Sequence, residues 1–192
     1  MMTPWGYEID GESIPPLLSV EAFNTMTGGK YASNDHVEPA LMAASQAVRN
    51  ACGWHVSPQF QCTASPIPSG SVVKLPANLV TSIVSITESG DEIDDYEWLK
   101  NGLVRRNRWS GRWGAIEVEY TAGYESAAVP DLAEAVRSIA EGVLAVSAGV
   151  VSESADGVSI SYSASASSIA AALTSQQRDA LAPYRLVSSH AA

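Results

Sequence analysis

The chain has 192 residues, which at roughly 150 residues per domain is one domain or slightly more. Hydrophobic residues make up 46% and charged residues 17%, enough apolar surface to offset the entropy of ordering and so to exclude disorder throughout. With 21 acidic against 11 basic residues the formal net charge is −10, which argues against a protein that grips nucleic acid by its phosphates but leaves open one that lets a polyanion pass.

Residues 1–16, with Pro4, Gly6, Gly11, Pro15 and Pro16 and no hydrophobic period, read as an N-terminal arm. The start, Met1-Met2-Thr3-Pro4-Trp5, has no basic region followed by an apolar core, so no secretory signal is expected, and no run approaches the roughly 20 apolar residues of a membrane span. The product is expected to stay soluble in the cytoplasm, and two cysteines, Cys52 and Cys62, suit a reducing compartment. From residue 17 to 192 a single domain is expected. Its first helix, about 19–28, is capped by Ser19, stapled by Leu18 and Phe23, and stopped by Gly28-Gly29. A second helix, about 35–52, opens at Asp35 with Glu38 at capping-box spacing; Val37, Leu41, Ala44, Val48 and Ala51 recur on one side.

From about 58 to 123 the period changes to two. Val72-Val73-Lys74-Leu75 and Val80 to Thr87 are rich in β-branched residues, and Asn101-Gly102 between Tyr96–Leu99 and Leu103–Arg105 is a strong hairpin signal. Ile116, Val118 and Tyr120 alternate with Glu117 and Glu119, which predicts a strand with one wet, acidic face. The expectation is one antiparallel sheet of about five strands. Pro130 then opens a helix of about 130–149, with Asp131 and Glu134 near its positive end and Leu132, Val136, Ile139, Val143 and Val146 as its apolar stripe. A hairpin of about 150–162 turns at Asp156-Gly157, a Ser/Ala linker fills about 163–173, and Thr174 with Gln177 caps a helix of about 175–182 that Pro183 ends. The fold class is therefore α+β: a small helical core, an inserted antiparallel β subdomain, and a second hairpin before a short C-terminal helix.

Familiar catalytic signatures are missing. The chain has neither a G-x-S-x-G elbow nor an H-E-x-x-H zinc helix. Gly28-Gly29-Lys30 resembles the end of a phosphate loop, but Asn24 and Tyr31 stand where Gly and Ser or Thr belong. Cys52, His55 and Cys62 have metal-like spacing, yet only His36 and His190 remain among the histidines to complete a set, and a packed helix-end Cys with His55 on a backbone carbonyl explains them as well. Ser71-x-x-Lys74 lies in a strand pattern, where positions three apart point to opposite faces. Six acids, Glu88, Asp91, Glu92, Asp94, Asp95 and Glu97, form a run without the alternating calcium-loop pattern, and read as a solvated loop or as carboxylates of a small hydrolase or glycan-binding module. Arg105, Arg106, Arg108 and Arg112, interleaved with Trp109 and Trp113, are the one basic cluster, suited to contact with a neighbouring protein or with a nucleic-acid strand. No cofactor and no catalytic residue is expected.

Several runs stand in a telling order: Arg49-Asn50-Ala51-Cys52-Gly53-Trp54-His55-Val56, Leu79 to Thr87 before Gly90, Val118-Glu119-Tyr120-Thr121-Ala122-Gly123-Tyr124 before Val129-Pro130-Asp131-Leu132, and Leu181-Ala182-Pro183-Tyr184-Arg185. Together they resemble the head-to-tail connector (head–tail adaptor) proteins of long-tailed bacteriophages, particularly those of actinobacterial hosts, over most of residues 17–187. The resemblance implies a structural virion neck protein, assembled in the host cytoplasm, that forms a ring of twelve subunits beneath the portal. That ring would extend the DNA channel, without sequence-specific DNA binding, and offer a platform to the next neck or tail protein. It also implies that the C-terminal segment 183–192 docks on the portal, through Tyr184, Arg185, Leu186 and Val187. A stopper or tail terminator is the alternative neck role.

Overall fold

The strand with the clearest alternation lies at the centre of a sheet. The computed structural model describes residues 1–147, 152–155, 158–161 and 173–186, and in it the chain divides into two compact units. The first unit comprises Met1–Ile14, Cys52–Ala128 and the described residues from Tyr184 on. Its strands are β1 (Glu8–Ile9), β2 (Phe60–Ala64), β3 (Val72–Lys74), β4 (Val80–Glu88), β5 (Asp91–Glu92), β6 (Glu97–Trp98), β7 (Leu103–Arg105) and β8 (Ile116–Ala122). They form two antiparallel sheets, a five-stranded one in the order β1-β2-β8-β4-β5 and a three-stranded one in the order β3-β7-β6.

Strand β8 is central because it can bury a whole face. Ile116, Val118, Tyr120 and Ala122 are all buried, whereas Glu117 is exposed. It pairs with β2 from Phe60↔Ala122 to Ala64↔Val118 and with β4 from Val80↔Ala122 to Glu88↔Ile116, the β4 register shifting at two bulges. Trp98 faces Val104 across the β6–β7 hairpin, and Gly102 N–H closes its turn on Leu99 O at 2.9 Å.

Two expectations change here. The β stretch is two sheets rather than one, because the short strands around Asn101-Gly102 pair with β3 instead of extending the β2-β8-β4 ladder. The first sixteen residues, expected as an arm, contribute an edge strand: β1 pairs Glu8↔Thr63 and Ile9↔Cys62 with β2, and Thr3, Tyr7 and Ile9 are buried. Their alternation spans only two apolar residues, Tyr7 and Ile9, too few to register as a period; the partner strand lies some fifty positions away in sequence.

The second unit comprises Pro15–Ala51 and Val129–Pro183, with helices α1 (Val20–Met26), α2 (Val37–Cys52, its last residue in the first unit), α3 (Pro130–Ser147) and α4 (Ser175–Leu181). Ser19 caps α1 by accepting from Ala22 N, and Thr174 with Gln177 forms the expected capping box on α4. Helix α2 starts at Val37, two residues later than Asp35 suggested; Asn34 Oδ1 accepts from His36 N at 2.9 Å in the turn before it. A charge is buried there: Arg49 is 2% exposed and one of its amino groups donates to Pro15 O at 2.8 Å, while Ser45 Oγ accepts from Leu17 N at 2.9 Å. These bonds tie residues 15–17 to α2.

On α3, Leu132, Val136 and Ile139 are buried as expected, but Leu144 is buried while Val143 is only half-buried, since 3.6 residues per turn drifts off the simple spacing. Ile139→Ala is expected to cost about 2–5 kcal/mol, the usual cost of emptying a packed aliphatic site; chemical denaturation checks it. Strands β9 (Ser152–Ala155) and β10 (Val158–Ser161) form the second hairpin, register Val158↔Ala155. Its Asp156-Gly157 tip and residues 163–172 of the linker lie outside the described residues, whereas Leu173, at the end of that linker, is buried. Among the described residues no helix is long and apolar enough to cross a membrane.

Candidate functional site

Strand β7 leaves the three-stranded sheet at Arg105, and the chain returns as β8 at Ile116. The base of the loop between them is held from several sides. Arg106 N donates to Ser71 O at 3.0 Å; its guanidinium pairs with Glu88 at 2.9 Å and Asp95 at 2.7 Å and lies 5.6 Å from the centre of the Trp109 ring. Trp109 is buried, and its indole N–H donates to Ser71 O at 3.1 Å. The Ser110 amide donates to Glu88, and Ser89 N to Ala115 O at 2.6 Å. The side chains of Arg106 and Glu88 are 19% and 18% exposed, so this pair is screened less than a surface one. Arg105 with Glu97 is such a surface pair, at 2.5 Å, and contributes little.

The acidic run and the basic cluster, separate in sequence, thus meet through Arg105, Arg106, Glu88, Asp95 and Glu97. Arg105, Arg106, Asp95 and Glu97 line a cleft of about 550 Å³ with Ser71, Asp94, Tyr96 and Asn107. Asp95 and Glu97 are committed there to Arg106 and Arg105. The loop tip differs from its base. Arg108 and Arg112 are exposed and make no ion pair among the described residues, and Trp113, at 86%, is the most exposed large hydrophobic residue of those described.

The described part of the C-terminal segment packs within the same unit. Trp54, fully buried just beyond α2, donates its indole N–H to Tyr184 O at 2.7 Å, and Leu186 N donates to Cys52 O at 2.9 Å. The Tyr184 ring meets Tyr124 edge to face, centres 5.3 Å apart, and Tyr124 N donates to Val56 O at 2.8 Å. The runs around Trp54, Tyr124 and Tyr184 therefore meet in space. Tyr184 and Leu186 are half-buried, and Arg185 between them is exposed; Val187 lies outside the described residues.

Beneath this seat, His55 is enclosed. Its Nε2 lies 3.0 Å from Ala122 O and its Nδ1 2.7 Å from the Tyr7 hydroxyl, which also accepts from His55 N at 3.0 Å. Burial pushes the thiols of Cys52 and Cys62 up to about 12, so neither offers a thiolate. Among the described residues no group of three His, Cys, Asp or Glu is placed to hold a metal ion. Lys74 Nζ donates to Asn101 O rather than approaching Ser71.

The architecture on these observations is a mixed α+β fold of helices with two antiparallel sheets. Solved chains share it. One, in the neck of a native GTA (gene transfer agent) particle computed with C12 symmetry, matches with a TM-score of 0.59 at 16% identity, over 94% of this chain and 96% of that one. Another, in the neck of an empty GTA particle computed with C6 symmetry, gives 0.57 at 17% identity over 94% and 95%. At such identities the likeness is one of fold. No family model and no curated protein matches the chain.

Proposed function

We propose that this protein is a structural neck component of a tailed phage or phage-like particle, a head–tail adaptor that forms a ring, twelve subunits in number, between the portal and the next neck or tail protein. The observation that carries the reading is the fold match across 94% of the chain to a subunit in a neck computed with C12 symmetry. The order of sequence runs around Trp54, Tyr124 and Tyr184 supports it independently. A charge of −10 per subunit, repeated around a channel, repels phosphates and lets DNA slide past without a sequence-specific grip. The protein acts in the virion and is assembled in the host cytoplasm, as a wall segment rather than a catalyst.

In this reading Tyr184, Arg185, Leu186 and Val187 meet the portal. Tyr184 and Leu186 seat the segment, and Arg185 presents its charge outward. Arg105, Arg106 and Trp109 set the base of the second contact region, with Arg108 and Arg112 at its tip. The test is attachment of the purified chain to DNA-filled heads that carry the portal and no other neck protein, followed by cosedimentation and electron microscopy. The wild-type chain is expected to add a ring below the portal, and Arg185→Glu to stay folded by circular dichroism while attaching at least about tenfold less. A chain that joins only after another neck protein is a stopper or terminator; one that never joins is neither.

A further inference from the structure

The β7–β8 loop combines a well-bonded base with exposed arginines that make no ion pair among the described residues. Ion pairs to Glu88 and Asp95, the buried Trp109 and the Ser110 and Ser89 hydrogen bonds hold Arg106, Trp109, Ser110 and Ala115. Arg108, Arg112 and Trp113 project from that base, exposed, and the two arginines make no ion pair among the described residues. The bonded base limits how far the backbone beside the tip must order on binding, and Trp and Arg are the residue types that anchor protein interfaces.

Charge identifies the occupant. The tip is a small cationic island on a chain of net charge −10, so another copy of the same chain offers acidic surface that matches it locally. Exposed Asp91, Glu92 and Asp94, which also make no ion pair among the described residues, are the nearest matching set on such a copy, with Leu99 exposed (60%) in the same unit. Two unpaired arginines are too few to carry this acidic protein onto nucleic acid, where affinity grows with the number of phosphates neutralised.

We infer that the Arg108–Arg112–Trp113 tip is a contact between copies, with Trp113 laid on the neighbouring chain and the two arginines facing its Asp91, Glu92 and Asp94. The inference rests on the ring reading and deepens it by naming one joint.

Site-directed photo-crosslinking tests it on the full chain. Gly111 has open space where a side chain would stand, and the buried Cys52 and Cys62 do not compete for a thiol reagent, so Gly111→Cys carries a benzophenone label beside an intact tip. At high micromolar concentration, illumination is expected to give covalent dimers and higher adducts whose crosslinked peptide contains residues 91–94. Trp113→Ala, or Arg108→Glu with Arg112→Glu, in the labelled chain is expected to cut the yield at least about tenfold, and 1 M NaCl to suppress it. Mixing the doubly reversed chain with an Asp91→Arg, Glu92→Arg copy is expected to restore it. Adducts within one chain only, dimers indifferent to the tip variants, or crosslinks that fall elsewhere overturn the inference. So does binding of an oligodeoxythymidylate 20-mer that is lost on Arg108→Glu with Arg112→Glu while no dimers form, which would assign the tip to nucleic acid. If crosslinking fails while the chain still adds a ring to heads, the tip assignment falls alone; if copies crosslink as expected but heads never bind the chain, the neck reading falls alone.

Discussion

Gly123→Ala is expected to destabilise the sheet-bearing unit by about 3–5 kcal/mol, against about 1–2 kcal/mol for Gly28→Ala. Both glycines have positive φ, +118° and +63°, so both alanines suffer backbone strain. The difference is room. A Cβ on Gly28 would meet nothing within 4 Å, whereas one on Gly123 would stand 2.6 Å from Pro58 O and 3.0 Å from both Gln59 Cα and His55 Nε2. The first two are backbone atoms and cannot swing aside. The third belongs to the enclosed histidine that links Ala122 O to Tyr7, so the displacement would reach the β1 edge as well. For a chain of this length 1 kcal/mol corresponds to about 2–4 °C in Tm, so the two variants should separate by several degrees in a thermal melt. Equal melting temperatures would refute the close approach at Gly123.

The second large effect is expected at Trp54. Trp54→Ala empties a fully buried site, at about 3–5 kcal/mol, and takes away the donor that Tyr184 O uses at 2.7 Å. Trp54→Phe separates these causes, because it keeps most of the ring and removes only the N–H; its expected cost is about 1–3 kcal/mol, that of a part-buried acceptor left unmatched. Hydrogen exchange gives the local readout. The Leu186 amide, donated to Cys52 O, should lose protection in Trp54→Phe while amides of β8 keep theirs. If Leu186 exchanges at the wild-type rate in that variant, the seat does not depend on the indole bond. In the proposed function the same variant loosens the segment that faces the portal, so attachment should fall along with protection.

Local order was legible wherever it is short-range. The Ser19 cap, the Thr174–Gln177 box, the Asn101-Gly102 turn and the wet and dry faces of Ile116–Ala122 rest on spacings of two to four residues, and steric and hydrogen-bonding preferences act over that distance whatever the rest of the chain does. The α+β class and the order of helices and strands follow from these pieces.

What needed the tertiary structure is every pairing between distant positions. Nothing local marks Glu8 and Ile9 as the edge of a sheet, because their partners lie at Thr63 and Cys62 and their own run is two residues long. Arg49, which reads as an ordinary helix-end charge, is buried, and it donates to Pro15 O from thirty-four positions away. The acidic and basic runs looked like two surface features; Arg106, by reaching Glu88 and Asp95 together, makes them one, and the same folding hides Trp109 while exposing Trp113. Composition sets how many charges and rings a chain has to place. Which of them meet each other, and which are left for a partner, depends on contacts across tens of residues, whose energy exists only once the chain has closed on itself.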